Sequence, residues 1–241
     1  MKLFAHRGYS GKYPENTLPA FRAAAELAVD GVEFDVHLTK DGEAVVIHDE
    51  KLHRTTTGKG FVKDHTLAEL KTLDAGSWFS EEWAGTEIPT LAEVLDVFRD
   101  THHTLNIELK TDVFPYDGLL EEVIRLVAQA ELSERVILSS FNHEDIAWAT
   151  RNTSLTSALL TSQVLVNAYD YGRGVGTTRL HVSLPAAFRS MTSEAMRKGS
   201  VVYVYTVNDG QYLDGLKQVG VHGIFTDYPE KMQALLAEQA E

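Results

Sequence analysis

The sequence predicts an α/β protein built as a (β/α)8 barrel. Eight short β-rich runs are each followed by a longer segment that suits a helix, and the 241 residues match the usual size of such a barrel. Strands that alternate strictly with helices pair in parallel, through helical crossovers. An open, doubly wound parallel sheet is the alternative architecture that the same alternation allows.

The predicted elements follow one another along the whole chain. Strands are predicted over residues 3–6, 32–36, 105–109, 136–141, 157–160, 180–184, 201–207 and 223–226. Helices are predicted over residues 16–29, 90–100, 117–131, 143–151, 162–171, 192–198, 209–218 and 229–240. The pattern is least regular around the glycine-rich residues 169–176, which follow no strand and open no helix. We therefore predict a plain loop there rather than a nucleotide-binding loop.

One long segment interrupts the alternation after the second strand. Thr39–Gly42 has the composition of a hairpin turn, and AVVIHD follows it. The residues from Glu50 to Glu87 are rich in Thr, Gly, His and Trp, with a short helix predicted at Leu67–Leu70. This is too long for a structureless connection in a compact domain. We expect either a lid or a small subdomain at about residues 49–88, inserted into a single domain of residues 1–241.

The composition excludes several classes of function. The chain has no cysteine, which rules out disulfides, thiol nucleophiles and thiolate metal sites. Acidic residues outnumber basic ones, 35 against 22, which argues against nucleic acid as a partner. Apolar runs fall well short of a membrane span or a signal-peptide core. We therefore predict a cytoplasmic protein without stable membrane insertion.

Acidic side chains stand inside two of the predicted strands. Glu33 and Asp35 are two residues apart, so they point to the same face of the second strand. Two same-face carboxylates in a buried barrel strand are costly unless a cation compensates them, so we favour a metal site over a structural ion-pair cluster. Glu108 and Lys110 share a face of the third strand in the same way. Taken alone, that pair fits a solvated ion pair equally well.

Two of the ten histidines end a β-rich run beside a charged residue. His6 is followed by Arg7, and His48 is followed by Asp49. The carboxyl ends of barrel strands carry the chemistry, and a histidine there can act as an acid or a base near neutral pH. A single histidine is more often structural, so position is the reason for selecting these two. His37 shares the face of the second-strand carboxylates but lies beyond them, and we expect it behind the ligands or at the rim of the site.

These residues and their flanking motifs together resemble the glycerophosphodiester phosphodiesterases. The resemblance spans nearly the whole chain and rests on HRG with EN (6–8 and 15–16), VEFDVHLTKDG (32–42), VVIHD (45–49), PTL (89–91), NIELK (106–110), SSF (139–141) and TDYP (226–229). It implies a TIM barrel with a small insertion after the second strand. It also implies metal-dependent hydrolysis of glycerophosphodiesters to sn-glycerol 3-phosphate and an alcohol.

The resemblance implies that Glu33, Asp35 and Glu108 bind one divalent cation. Oxygen ligands favour a hard ion, and the sequence does not choose between Mg²⁺ and Ca²⁺. Three carboxylates and a divalent cation together carry one negative charge, and Arg7 and Lys110 turn this into one net positive charge. The predicted site therefore attracts a phosphodiester anion although the chain has a formal charge of −13.

The resemblance also assigns the remaining site residues. It makes His6 and His48 the acid/base pair, without deciding which is which, and Arg7 and Lys110 the contacts to phosphate. One position departs from the family pattern, because Tyr205 stands where relatives usually have Trp before Thr-Val-Asn. That aromatic residue helps to shape the glycerol pocket in relatives, so we place Tyr205 in the substrate site.

Alternative functions stay open at this point. The same site suits a phosphodiesterase that acts on lysophospholipids or that releases a cyclic phosphate as its final product. A barrel that binds without catalysis is a second class, against which the complete set of site residues speaks. A sugar-phosphate isomerase is a third, but the loops after the last two strands are acidic, Asn208-Asp209-Gly210 and Asp227-Tyr228-Pro229. A homo-oligomer is compatible with the sequence.

Overall fold

The computed structural model describes residues 1–238. Within them there are nine strands: β1 (Lys2–His6), β2 (Gly31–Leu38), β3 (Ala44–Val46), β4 (Thr104–Leu109), β5 (Val136–Ser140), β6 (Thr156–Thr161), β7 (Arg179–Ser183), β8 (Val201–Tyr205) and β9 (Gly223–Thr226). All except β3 are parallel, and they close because β1 pairs with both β2 and β9. The predicted (β/α)8 barrel is confirmed, and the open sheet is excluded.

The register of the strands decides which side chains reach the barrel interior. His6 of β1 lies opposite Glu33 of β2, and Asp35 of β2 lies opposite Glu108 of β4. Because side chains alternate between the two faces of a strand, Phe34 points the other way and packs in the core between strands and helices. The polar residues of these three strands therefore face inward, near the carboxyl ends.

Much of the rest of the barrel interior is apolar. Phe4, Ile137, Ala158, Tyr203 and Phe225 pack together there, with the ring centroids of Phe4 and Tyr203 5.3 Å apart. The interior is thus a packed core rather than a pore. A site for a small molecule can open only at one end of the barrel, and the polar residues mark the carboxyl end.

Ten α-helices lie in the described part of the chain: α1 (Leu18–Ala25), α2 (Leu67–Leu70), α3 (Leu91–Phe98), α4 (Leu119–Gln129), α5 (His143–Asn152), α6 (Ala168–Val175), α7 (Leu184–Ala187), α8 (Ser190–Arg197), α9 (Leu213–Val219) and α10 (Pro229–Glu238). All but α7 overlap a predicted helix. Residues 239 and 240 of the last predicted helix lie outside the described residues. Between residues 1 and 238, no helix combines the length and the apolar character needed to cross a membrane. The cytoplasmic location stays a prediction.

The structure corrects the prediction for the fifth strand–helix unit. Residues 162–167 form no helix, whereas α6 occupies the glycine-rich stretch that was expected to be a loop. Packing overrides the low helix propensity of glycine here. Gly172 is buried, and a Cβ atom on it would lie 2.6 Å from the carbonyl oxygen of Thr177. Gly176 then ends the helix at a φ of 114°.

The inserted segment between β3 and α3 has a small core of its own. β3 runs antiparallel to β2, and the chain then forms three single turns of 3-10 helix, Leu52–Arg54, Val62–Asp64 and Glu81–Trp83, with α2 among them. Its buried apolar side chains are Val45, Ile47, Leu52, Val62, Leu70, Ala75 and Ile88. This cluster supports our proposal of a small subdomain at about residues 49–88, inserted into a single domain of residues 1–241.

Candidate active site

Three acidic side chains meet at the carboxyl end of the barrel. Glu33 and Asp35 of β2 and Glu108 of β4 each place a carboxylate oxygen within 4.8 Å of the other two. Glu33 is 4 % exposed, Asp35 1 % and Glu108 9 %. The structure therefore brings together the three residues that the sequence suggested as metal ligands.

Protein donors hold only part of this carboxylate cluster. One oxygen of Glu33, Oε2, accepts a hydrogen bond from the backbone N–H of Arg7 at 3.1 Å. One oxygen of Asp35, Oδ2, accepts from the side-chain amide of Asn16 at 2.8 Å. The other oxygens, Glu33 Oε1 and Asp35 Oδ1, are buried without a hydrogen-bond partner. Such atoms are costly unless something binds them, and a hard divalent cation is the ligand that oxygen donors suit. The donor set therefore fits a cation.

The three carboxylates also repel one another. Burial, and then the charges of Asp35 and Glu108, raise the pKa of Glu33 well above its ordinary value. Burial and the charge of Asp35 raise the pKa of Glu108 to about 7. Burial acts on Asp35 in the same direction, but the protonated form of His48, followed by Arg7 and Lys110, holds the pKa of Asp35 well below the usual range. A cation would relieve this repulsion and favour the ionised form of all three.

The turn after β1 directs Arg7 into the site. Arg7 adopts a left-handed conformation with φ at 56°, and Gly8 follows at 76°. A Cβ atom on Gly8 would lie 2.8 Å from the backbone of Ala20, so this turn requires glycine. Nη1 of Arg7 donates to Glu15 at 2.8 Å, whereas its buried Nε has no hydrogen-bond partner and lies 3.5 Å from Asp35. The guanidinium of Arg7 is thus held between Glu15 and Asp35, beside the carboxylate cluster.

Lys110 leaves β4 beside the same carboxylates. Its ammonium nitrogen donates to Glu108 at 2.9 Å and lies 3.9 Å from Asp35. Burial alone would lower the pKa of Lys110, but the charges of Glu108 and Asp35 raise it above its ordinary value. The residue is buried, which excludes the solvated ion pair that the sequence left open. Lys110 is a permanent cation within the site.

His6 is oriented by a carboxylate from the far end of the chain. Its Nδ1 lies 2.6 Å from Asp227, which also accepts hydrogen bonds from Asn208 at 2.5 Å and Ser10 at 3.0 Å. Burial alone would raise the pKa of Asp227, but the hydrogen bond with His6 contributes most to lowering it to about 2. Because an ionised carboxylate only accepts, Nδ1 of His6 carries the proton. Nε2 points to Glu33, 3.8 Å away.

His48 forms a second histidine–aspartate pair, on the inserted segment. Its Nδ1 lies 2.6 Å from the carboxylate of Asp49, and Asp49 accepts from Nε and Nη2 of Arg54 at 2.7 and 2.9 Å. Burial lowers the pKa of His48 below its ordinary value. The lowered pKa favours the neutral form of His48, whose Nε2 is free of this carboxylate.

Of the two positions expected for His37, behind the ligands or at the rim of the site, the structure shows the first. His37 is fully buried, and its Nε2 donates to the carbonyl oxygen of His48 at 3.0 Å. Its Nδ1 then accepts from the hydroxyl of Tyr116 at 2.9 Å. Burial lowers the pKa of His37 to about 4, which keeps the ring neutral. The inserted segment covers this end of β2, so His37 lies behind the site and holds the backbone of His48.

A cavity of about 170 Å³ joins these groups. It is lined by His6, Arg7, Glu33, His48, Asn106, Glu108, Phe141, Leu160, His181, Tyr205, Thr206 and Phe225. Part of the lining is therefore charged, and another part is aromatic. Tyr205 belongs to the aromatic part, with its ring edge-on to Phe141 and its buried hydroxyl without a partner. All eight residues that the sequence suggested lie in this cavity or directly against the carboxylates that line it.

The structure adds functional groups that sequence reasoning missed. Asp227 was noted within the TDYP motif and an acidic loop but was given no role, although it directly follows the end of a strand. Arg54 carries no such signal, because its partners come from separate parts of the chain. His181 sits inside β7, stacked on Tyr203 with both ring nitrogens buried and unpartnered. No local pattern distinguishes it from a core residue.

The fold and the site define an α/β-barrel enzyme with a carboxylate and histidine centre at the carboxyl ends of its strands. The sequence model of the glycerophosphoryl diester phosphodiesterase family matches residues 6–231, and the chain belongs to this family. The resemblance drawn from the motifs is thereby confirmed. Enzymes of this family generally depend on a divalent metal, and the carboxylate cluster can hold one.

Individual relatives support this assignment. A glycerophosphodiester phosphodiesterase of Caldanaerobacter subterraneus is 40 % identical over 231 residues, covering 95 % of either chain. One from Bacillus altitudinis is 39 % identical over 234 residues, covering 95 % of this chain and 96 % of its own. The solved structure of an Oleispira antarctica phosphodiesterase in complex with the product sn-glycerol-3-phosphate superposes with a TM-score of 0.88, at 33 % identity, over 98 % of this chain and 97 % of its own.

Proposed function

We propose that this chain hydrolyses glycerophosphodiesters and releases sn-glycerol 3-phosphate and an alcohol. The observation that carries the proposal is the meeting, around one cavity, of three carboxylates within 4.8 Å and two histidines that are each bonded to an aspartate. Family membership supports the reaction, and the product complex of the Oleispira antarctica relative supports the product. A protein that only binds has no need of two oriented proton carriers.

In this proposal Glu33, Asp35 and Glu108 hold one divalent cation, Mg²⁺ or Ca²⁺. Carboxylate oxygens are hard ligands and suit these ions better than softer metals. When bound, such a cation would withdraw electron density from a phosphoryl oxygen and make the phosphorus easier to attack. Arg7 and Lys110 would contact the phosphate, and the position of both cations beside Asp35 supports this role.

His6 and His48 would move the protons. Cleavage of a phosphodiester requires that the attacking hydroxyl lose a proton and that the leaving alkoxide gain one. The aspartates bind Nδ1 of both rings, so Nε2 is the atom that faces a substrate. The lowered pKa of His48 suits it to act as the base. Both ring nitrogens of His6 face carboxylates, which suits it to deliver the proton to the alkoxide.

The attacking group in this proposal is the 2-hydroxyl of the glycerol unit. A hydroxyl held beside phosphorus in the same molecule has a large entropic advantage over free water. Its attack would form a five-membered cyclic phosphate and free the alcohol, after which water would open the ring with the proton roles reversed. We expect a diester without this hydroxyl to react far more slowly, and equal rates would exclude the cyclic route.

A panel of substrates tests the reaction. A coupled assay would follow the release of sn-glycerol 3-phosphate from glycerophosphocholine and glycerophosphoethanolamine, and the release of choline from lysophosphatidylcholine. We expect turnover of the first two in the presence of Mg²⁺ or Ca²⁺ and loss of turnover with a chelator. Preferred cleavage of lysophosphatidylcholine would favour a lysophospholipase D-like enzyme, and accumulation of cyclic phosphate would favour the cyclic-phosphate-forming alternative.

A binding measurement tests the cation site without turnover. Titration calorimetry with Ca²⁺ and with Mg²⁺ would be run on the wild type, Glu33→Gln and Asp35→Asn. Each substitution removes a charged oxygen from the cluster, so we expect most of the affinity to disappear while the melting temperature changes little. Glu121→Gln, on the exposed face of α4, is the matched control and should bind as the wild type does. Unchanged affinity in both site variants would contradict the assignment of the ligands.

A further inference from the structure

A series of hydrogen bonds between charged side chains connects Arg7 to His48 by way of the inserted segment. Arg54, at the end of the first 3-10 turn of that segment, binds two carboxylates at once. Its Nε and Nη2 donate to both oxygens of Asp49 at 2.7 and 2.9 Å, and its Nη1 and Nη2 donate to both oxygens of Glu15 at 3.0 and 2.7 Å. Both pairs are bidentate, the strongest form of this contact.

Each of these carboxylates is also bonded to a residue of the proposed machinery. Oε1 of Glu15 accepts from Nη1 of Arg7 at 2.8 Å, and Oδ1 of Asp49 lies 2.6 Å from Nδ1 of His48. Arg7 follows β1, whereas His48 follows β3, so the two belong to separate segments of the chain. The connection from Arg7 to His48 therefore runs through Glu15, Arg54 and Asp49.

We propose that Arg54 is a positioning residue, which fixes the guanidinium of Arg7 and the imidazole of His48 relative to each other. The proposal rests on the proposed function, because it gives Arg54 its effect through a phosphate contact and a proton carrier. Arg54 itself is not assigned a contact with the reacting atoms. In this proposal the inserted segment places the side chain of Arg54 between the loop that follows β1 and the loop that follows β3.

The chemistry of the bridge requires arginine. A planar guanidinium presents five N–H donors in a fixed fork and can pair with two carboxylates side by side, whereas a lysine ammonium is a point charge without that geometry. Arg54 has its side chain 38 % exposed, while Glu15 is 13 % exposed and Arg7 18 %. The bridge thus lies on the solvent side of these residues, and we expect its loss to leave the barrel core intact.

Kinetics of Arg54→Ala and Arg54→Lys test the proposal. We expect kcat of R54A to fall by up to about 100-fold, the cost of a small misplacement of reacting groups, and KM to rise because Arg7 is released as well. R54K should stay well below the wild type. Guanidinium ions added at millimolar concentration should restore part of the R54A activity and none of the R54K activity, because only R54A leaves a space of the right shape.

Arg125 supplies a matched control. It forms a bidentate pair with Glu122 on α4, is 50 % exposed and lies outside the site. We expect R125A and R125K to keep the wild-type kcat and KM. If R54A lost kcat at unchanged KM and guanidinium did not restore its activity, Arg54 would have a merely structural role and the proposal would be overturned. An R54A variant as active as the wild type would overturn it as well.

Hydrogen exchange separates a failure of this proposal from a failure of the proposed function. Mass spectrometry would compare exchange in peptides over residues 7–17 and 47–54. In R54A both peptides should exchange faster than in the wild type, and in R125A both should exchange at the wild-type rate. Unchanged exchange in R54A would overturn the positioning role even if the wild type turned over. A wild type without activity on any diester would count against the proposed function alone.

Discussion

The two histidine–aspartate pairs share one geometry and differ in how the protein holds them. Both pairs have a distance of 2.6 Å from Nδ1 to the carboxylate. His6 and Asp227 are 221 residues apart and meet because the first and last strands close the barrel. His48 and Asp49 are neighbours in sequence and sit on the inserted segment. The ring of His6 is 15 % exposed and that of His48 31 %.

This difference shows two ways of orienting a proton carrier. The barrel orients His6 through Asp227, whose carboxylate is fixed by Asn208 and Ser10 from neighbouring loops. His48 is held from two sides, because His37 of β2 donates to its carbonyl oxygen and Arg54 of the inserted segment binds Asp49. The first arrangement depends on strand register, and the second depends on exposed charges. The two pairs should therefore respond differently to substitution, acid and salt.

Removal of either histidine should have the largest effect. We expect His6→Ala and His48→Ala each to lower kcat by about 10²- to 10⁴-fold, the usual contribution of a general acid or base. Cation binding by calorimetry should persist in both, because the carboxylate ligands are unchanged. His102→Ala, at an exposed position, is the control. A variant that keeps a near-normal kcat would show that its histidine is structural.

Substitution of the two aspartates should lower kcat by different amounts in the two histidine–aspartate pairs. Asp227→Asn and Asp49→Asn leave the shape unchanged but cannot hold the histidine tautomer as firmly. We expect kcat to fall by about 100-fold in D227N and about 10-fold in D49N, within the range for residues that orient a functional histidine. The smaller loss follows from the exposure of His48 and its second support by His37. Asp96→Asn is the control. A larger loss of kcat in D49N than in D227N would contradict the difference proposed here between the two pairs.

Acid unfolding should distinguish the same two aspartates. The pKa of Asp227 falls to about 2 in the folded protein, so its stabilisation is complete above the ordinary pKa near 4 and is lost as the pH falls towards 2. This amounts to about 2 kcal/mol. Burial would raise the pKa of Asp49, but its bonds to Arg54 hold it well below the usual range.

Urea unfolding between pH 2 and 6 measures this difference. The free energy of unfolding of D227N should lie below that of the wild type at pH 5, and the gap should close by pH 2. The corresponding difference in the free energy of unfolding between D49N and the wild type should persist at pH 2. Parallel curves for the wild type and D227N over the whole range would refute this account of Asp227.

A high salt concentration should have the smallest effect on kcat, and it should act mainly on the pair of His48 and Asp49. At about 1 M salt the Debye length is only about 3 Å, so bridges between exposed charges weaken while buried ones persist. We expect kcat to fall a few-fold in the wild type and in D227N, and less in R54A, which has already lost the exposed bridge. The same salt dependence in the wild type and R54A would argue against the bridge. Substrate binding is screened in all of them, so kcat is the quantity to compare.

The fold was predictable because strand periodicity and strand–helix alternation are local signals. The first and last strands illustrate this, since LFAH and GIFT are short apolar runs that need no distant contact to be recognised. The helix at α6 was not predictable in the same way. Its glycines suggest a loop when read locally, and only the close contact of Gly172 with Thr177 explains why they stand in a helix.

The sequence predicted the site residues that lie at or near the carboxyl end of a strand. The two-residue spacing was enough to place Glu33 and Asp35 on one face of a strand, whereas Glu108 joined them through the family resemblance. The pairing of His6 with Asp227 needs the closure of the barrel, and the bridge through Arg54 needs the path of the inserted segment. Neither contact has a spacing that a single sequence can show.

The central claim is cation-dependent hydrolysis at this site, and ³¹P NMR of one reaction tests it most directly. Purified chain would be mixed with glycerophosphocholine and Mg²⁺ or Ca²⁺, then with excess chelator, then with the cation restored. The account predicts that the diester signal converts to that of sn-glycerol 3-phosphate, that conversion stops with the chelator, and that it resumes afterwards. Conversion at an undiminished rate in the chelator, or no conversion with either cation, would contradict it.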